Sequence, residues 1–394
     1  MLIHSGIVFY MCYVQNPDFL ETPRHQYVIS ILFNLTIAVQ MFIVLSSFFL
    51  TEKYLREQAK CENLSSVKVF FILMLRRIIR LLPVYLWMVG FTATWSRFIG
   101  DGALWTSYME SEALGCRVKW WSHALFINNF YRTDVPCMIQ SWFIAVDMQL
   151  YAVAIILVLL LRRRTKAVFE VLGSLLVVTV FCNFMVAYIY DLNGIAVHIG
   201  PEDIKTLIFR GTASFNWLYI TPWGSLPASL MGVMLGFLCH FLRTNKLDLQ
   251  QYKWFRILHR ASVPALFVWI HSAYFLPDNP DRIYSAAFAA LDRPIYCFIG
   301  CVMMLGLISR IDQMSFLSWR GWEVLSRISL CVLVVHFIFH TMQVALQTIN
   351  IQASVFGIMG HWFVTMFMTY MMSFPLHLLV EKPTQKFLQT TIGV

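Results

Sequence analysis

Long apolar runs recur from one end of this chain to the other, and they leave little choice of fold. A helix needs ~20 mostly apolar residues to cross the hydrocarbon core of a bilayer, because there every backbone N–H and C=O must be paired within its own segment. Ten stretches fit: a short opening segment from Met1 to about Tyr13, then about 28–50, 69–96, 140–161, 167–190, 218–242, 257–277, 286–309, 328–347 and 356–380. Of the 394 residues, 59% are apolar and 13% charged, whereas a soluble domain carries about a quarter charged residues. The sequence predicts an all-α polytopic membrane protein of about ten transmembrane helices in one domain over residues 1–394. Met1 stands directly before "LIHSGIVFYMCYV", which lacks the basic start and small-residue cleavage site of a secretory signal. That first segment reads as a truncated helix whose beginning is missing.

Orientation follows from the basic residues, which cytoplasmic loops retain. The alternate segments 51–81, 162–166, 243–260, 310–327 and 382–386 hold 21 of the 30 Lys and Arg residues. The alternation predicts a cytoplasmic C-terminus and explains the net charge of +9 as topology, so no nucleic-acid partner is expected. The sequon Asn63-Leu-Ser65 falls on the cytoplasmic side and Asn34-Leu-Thr36 within a span, so neither is expected to be glycosylated. Cys12, Cys182, Cys239, Cys297, Cys301 and Cys331 lie in spans, as small core residues. Cys116 and Cys137 share the longest non-cytoplasmic loop, about 97–139, where an oxidising lumen permits a disulfide. That loop is rich in Trp and Tyr and is expected to lie against the membrane interface. A shorter one, about 192–217, carries Glu202, Asp203 and Arg210. No CxxC or His-rich spacing points to a metal.

Ionisable residues within spans carry the functional information, since each is disfavoured by about 2.5–3.5 kcal/mol at mid-span on insertion scales and so faces a polar interior. There are four such places. His4 lies in the opening span, where an imidazole serves either as a general base or as a helix-packing hydrogen-bonder. Arg76, Arg77 and Arg80 in "LRRIIRLLPVY" share a helical face, with Pro83 expected to interrupt the helix. Their guanidinium forks match either the phosphates of a nucleotide-like donor or lipid headgroups at a positive-inside boundary. Asp147 and Gln149 follow Trp142, and Asp147 needs a partner on another span, by default in a structural ion pair. His336 and His340 share a face suited to a polar interior or to packing.

The same residues carry a resemblance. "INNFYRTDVPCMIQSWFIAVDMQLY" resembles the signature of the nose-resistant-to-fluoxetine proteins, the animal branch of the acyltransferase 3 membrane family. The matching residues are Asn128, Asn129, Cys137, Gln140, Ser141, Trp142, Asp147, Met148, Gln149 and Leu150. "LIHSG", "AVQMFIVLSSFFLTEKYL", "LRRIIRLLPVY", "LSWRGWEVLSRISLCVLVVH" and "LLVEKP" resemble further family blocks in the same order. The similarity runs over essentially the whole chain.

Membership of that family implies transfer of an acyl group, from a cytoplasmic acyl-coenzyme A, to a hydroxyl of a lipid, sugar or small-molecule acceptor. Acyl-coenzyme A is then a co-substrate, and no cofactor is bound permanently. By the resemblance His4 is the general base or acyl relay. Arg76, Arg77 and Arg80, with Tyr85 closing the same block, hold the donor. Asp147, Trp142, His336 and Glu381 match recurrent positions, with Asp147 placed in the catalytic group and Gln40 and Gln149 in support. Asp147 is expected to order a donor tunnel open to the cytoplasm, while Trp142 and the Cys116–Cys137 loop close its luminal end. Membrane lipids are the other expected partners, in the endoplasmic reticulum or plasma membrane. The chain departs from the family pattern at Gln40, where an acidic residue is usual, at Ser46-Ser47 for Ser-Gly, at Thr221 and Ser225 for Lys and Arg, and at Phe337 for Pro. The alternative reading is a non-catalytic member that binds or moves lipids or small hydrophobic molecules.

Overall fold

In a computed structural model the chain is helical almost throughout. The structure describes residues 1–11, 14–21, 34–58, 64–163, 167–195, 213–276, 280–311 and 319–392. Cys12, Asn63, Glu202, Asp203 and Arg210 lie outside these. Six helical segments are long and apolar enough to cross a membrane: Leu35–Arg56, Ile139–Leu161, Val168–Ile189, Phe215–Thr244, Arg282–Ile308 and Val355–Thr391. A seventh results if Arg320–Arg327 and Ser329–Ala345, which meet at a 66° bend, form one span. The chain is therefore a multi-pass membrane protein, but the expected ten spans are not reached on length and composition among the described residues.

Three expected spans fall short for identifiable reasons. Helix α1, Leu2–Met11, has ten residues. After α2, Val39–Arg56, comes α3, Ser66–Thr94, whose 29 residues are long enough but carry three arginines in the first half. Pro83 does not interrupt α3, which runs straight through it. The run expected near 257–277 lies mostly on a helix, Lys253–His271, that opens with Lys253, Arg256 and Arg260.

The 97–139 loop is partly helical. It folds into a π turn, Thr106–Glu110, that continues as α4, Ser111–Ala124, packed along α3. Its aromatic residues divide: Trp105 is buried, while Trp95 at the end of α3 and Trp120 remain exposed. Cys116 and Cys137 form the expected disulfide. Nearby, Glu112 Oε1 accepts from the Met138 N–H at 2.8 Å, and Lys119 Nζ donates to the Arg132 and Val135 carbonyls at 2.9 and 3.3 Å. These polar ties anchor the start of α5, Trp142–Leu161.

Two small-residue faces bring α2 against α7, Pro222–Thr244, the α-helix that follows α6, Val168–Ile189. Without a hydrophobic driving force between helices in lipid, close backbone approach and short hydrogen bonds hold such pairs. A Cβ on Gly232 would lie 2.3 Å from the Val44 carbonyl oxygen, and one on Gly236 2.6 Å from Thr51 Cβ. The Ser47 and Ser229 hydroxyls lie 2.8 Å apart, and Gln40 Nε2 donates to Ser225 Oγ at 3.1 Å. Of the span cysteines, Cys182 faces outward rather than into the core. The remaining elements that matter here are α8, Arg320–Arg327; α9, Ser329–Ala345; α10, Val355–Leu376; and α11, Lys382–Ile392. Helix α1 packs against α9 and α10, which brings the start of the chain to its late helices.

Candidate active site

A cavity of about 1040 Å³ runs between α1, α2, α3, α5 and α9, and His4, Arg76, Arg77, Arg80, Asp147 and His336 all contribute to its wall. Trp142 lines it too, its ring packed 4.8 Å from that of Tyr219. Ionisable groups from four separate helices thus share one space, as their cost in lipid demands.

The three arginines divide into two kinds. Arg77 lies eleven residues along α3 from Ser66, roughly 16 Å at 1.5 Å per residue. That depth is enough to meet Asp147, which enters from the opposite end on α5. The two form an ion pair. Arg77 also donates to Ser46 Oγ at 2.8 Å and lies over the Tyr151 ring at 4.0 Å. Tyr151 follows Asp147 by four residues and therefore shares its helical face. Arg76 and Arg80 are exposed on the cavity wall and make no ion pair with a carboxylate among the described residues. Lys53 adds a further cation to the same wall.

His4 Nδ1 and His336 Nε2 are 2.8 Å apart, with the rings stacked at 5.0 Å. The other nitrogen of His336, Nδ1, lies 2.8 and 3.1 Å from the carbonyl oxygens of Leu333 and Val332. A carbonyl only accepts, so in the neutral ring Nδ1 carries the hydrogen and Nε2 the lone pair. His4 Nδ1–H must then be the donor of the inter-ring bond. This assignment, made from the hydrogen-bond network, leaves His4 Nε2 as the basic nitrogen. His340 lies one turn beyond His336, fully buried, with Nδ1 3.2 Å from Thr365 Oγ1, and does not line the cavity.

Four expected residues are elsewhere. Tyr85 does not face the donor space: its ring is fully buried and its hydroxyl lies 2.5 Å from His123 Nδ1. It follows Arg80 by five residues, and the rise along α3 carries it ~7.5 Å further on, beneath α4. His123, missed in the aromatic loop, is wholly buried, and that burial, with Lys119 nearby, pushes its pKa down to about 3. Gln149 Nε2 donates to the Phe126 carbonyl at 2.7 Å and to Asn129 Oδ1 at 2.9 Å, tying loop to helix. Gln40 belongs to the α2–α7 seam. Glu381 is buried beside His377 and Cys331 rather than in the cavity.

Such a constellation, polar and ionisable groups gathered around one cavity inside a bundle of apolar helices, defines a multi-pass membrane protein with a polar interior cavity. The chain belongs to the acyltransferase 3 family: the family's sequence model, described as an acyltransferase domain, matches residues 1–380. It is similar to nose resistant to fluoxetine protein 6 of Caenorhabditis elegans, 21% identical over 336 residues, covering 79% of this chain and 39% of that protein. This chain thus spans well under half the length of that relative. No solved structure matches.

Proposed function

We propose that this chain is a membrane-bound O-acyltransferase using acyl-coenzyme A as donor and a hydroxyl of a lipid, sugar or small molecule as acceptor. The observation that carries the reading is the shared cavity: a histidine pair with one defined basic nitrogen and two arginines with no carboxylate partner among the described residues border the same space. Arg76 and Arg80 bind the donor's adenosine phosphates, where charge-assisted forks to phosphate are strong. The positive-inside asymmetry supports a cytoplasmic position for these arginines, where coenzyme A thioesters are found, and the Cys116–Cys137 disulfide supports an oxidising opposite side, as in an endoplasmic reticulum or plasma membrane.

In the reaction, His4 Nε2 takes the acceptor hydroxyl's proton as its oxygen attacks the thioester carbonyl. A C–O bond forms, the C–S bond breaks, and the departing coenzyme A thiolate leaves as the thiol with the proton from His4. His336 is the positioning residue: its backbone-fixed tautomer orients His4. Asp147 holds Arg77, and Trp142 shapes the wall between donor and acceptor.

The full chain, purified in detergent and given labelled acetyl-coenzyme A with a panel of hydroxyl acceptors, should transfer label. His4→Ala should reduce the rate by about 10²–10⁴-fold while donor binding persists. Transfer indifferent to that substitution, or no donor binding at all, overturns the reading. The Gln40–Ser225 seam, uncharged where the family pattern is ionisable, favours a second reading in which the cavity carries lipids or small hydrophobic molecules without chemistry. That reading predicts ligand passage unaffected by His4→Ala.

A further inference from the structure

Away from the cavity, the junction of α9 with the C-terminal helices holds a second group of reactive side chains. Cys331, His377 and Glu381 each offer a ligand atom, and the three atoms lie within 4.8 Å of one another. All three are buried, at 0%, 8% and 4% relative exposure, so water contributes little to solvating them. Glu381 Oε2 is shared: the Cys331 thiol lies 3.1 Å away and His377 Nδ1 2.6 Å. No Lys or Arg forms an ion pair with this carboxylate among the described residues; His377 is its sole ionic partner there. His377 and Glu381 are the two ends of a π turn between α10 and α11. Single π turns inside helices recur at functional sites, and this one brings the ends of a His-x-x-x-Glu run to one thiol 46 positions earlier.

We propose that these three residues bind a divalent transition-metal ion, zinc by ligand preference. Sulfur, imidazole nitrogen and carboxylate oxygen together form a borderline-soft donor set suited to zinc and poorly suited to magnesium or calcium. Binding displaces the thiol proton, so thiolate and carboxylate supply two negative charges against the ion's two positive ones. Metal–ligand lengths of about 2.0–2.3 Å place tetrahedral ligand atoms roughly 3.3–3.7 Å apart, a rearrangement of up to about 1.5 Å from the present separations. Gln385 Nε2 donates to Glu381 Oε1 at 3.2 Å and fixes the carboxylate, as outer-shell partners of metal ligands do. Three protein ligands leave a fourth position for water.

The location gives the ion a structural consequence. Gln385 Nε2 also donates to the Arg80 carbonyl at 3.1 Å, one turn beyond Glu381, while Leu330 and Ser329, just before Cys331, line the cavity. Cys331 precedes His336 by five residues on α9. An ion here clamps α9 to the C-terminal helices and fixes the depth at which His336 meets His4. The proposal stands whether or not the cavity catalyses acyl transfer.

Tag-free full chain, purified without chelators, should contain about one zinc per chain by elemental analysis, with Cys331→Ser and His377→Gln each lowering it several-fold. Chelator-stripped wild-type protein titrated with Co²⁺ should show a thiolate-to-cobalt charge-transfer band that Cys331→Ser abolishes, and Zn²⁺ should raise its melting temperature. The cobalt spectrum needs no variant, so a misfolded substitution cannot mask the outcome. No thiolate band in wild-type protein, or a metal content unchanged in a folded Cys331→Ser variant, overturns the site and leaves a hydrogen-bonded triad only.

Discussion

The Arg77–Asp147 pair makes the sharpest quantitative test of how this bundle tolerates charge. The two side chains are 19% and 11% exposed, half-enclosed by α3, α5 and the cavity. Asp147→Asn preserves shape but leaves a guanidinium without its counter-charge. Breaking a fully buried pair by removing one partner costs about 3–5 kcal/mol. Arg77 keeps the Ser46 hydrogen bond and the Tyr151 ring and reaches solvent through the cavity, so the expected loss is smaller, ~2–3 kcal/mol after screening. Arg77→Met strands Asp147 and should cost a similar amount, whereas the double variant removes both desolvated charges and should be less destabilised than the sum of the singles. A double-mutant cycle, read by reversible denaturant unfolding in mixed micelles, should therefore give a coupling energy of about 1–3 kcal/mol. A coupling near zero, or Asp147→Asn as stable as wild type, refutes the pair as the reason a carboxylate sits in this span.

The other expectations follow from the same geometry. Arg76→Ala and Arg80→Ala should each weaken acyl-coenzyme A binding by about 1.5–3 kcal/mol, roughly 10- to 100-fold by direct titration, with a smaller salt dependence; Tyr85→Phe, bonded to His123 and away from the cavity, should leave that affinity unchanged. His123 has a folded-state pKa depressed to about 3 from an ordinary 6.5. The stability tied to its neutral form is therefore complete above pH ~6.5 and falls as pH drops towards 3, by up to about 1.4 kcal/mol per unit. His123→Gln should flatten that slope in acid-unfolding curves. Gly232→Leu, pressed on the Val44 carbonyl, should force α2 from α7 and lower expression and melting temperature sharply, while Gly173→Leu, with open space around its Cβ position, should do neither.

What the sequence made legible is what membrane insertion penalises. His4, the arginines, Asp147 and His336 stand out because an ionisable group in an apolar run demands an explanation, and the bundle brings all of them to one cavity. Two further properties escape such a reading. Rotation of 100° per residue separates Arg77 from Arg76, and only the packing of α3 on α5 decides which of the two meets Asp147; a shared face in the sequence becomes two roles in space. Tyr85 sits in the same motif but a turn and a half away, and the motif's continuity conceals that distance. The Cys331–His377–Glu381 group was hidden for another reason: its thiol lies far along the chain from the other two, and a lone cysteine in a span reads as core. The expected ten spans are not confirmed, because arginines interrupt the apolar run of α3 and a lysine and two arginines open the Lys253–His271 helix.

The division of the arginines also bears on how a histidine base works in this setting under the proposed reaction. An anion beside His4 would favour its imidazolium form, which has no lone pair to accept a proton. A donor bearing several phosphates is therefore an awkward neighbour for such a base unless its charge is held apart. Arg76 and Arg80, exposed and without a carboxylate partner among the described residues, offer that separate anchorage, while Arg77 is already neutralised by Asp147 and does not draw phosphate inward. The phosphates then stay at the exposed arginines and only the thioester end reaches the histidines. On this argument Asp147 contributes to chemistry without touching substrate, and removing it should shift the pH–rate profile of acyl transfer towards higher pH, because a released Arg77 lets phosphate settle nearer His4. A purely structural Asp147 would lower the amount of folded enzyme and leave the profile where it was.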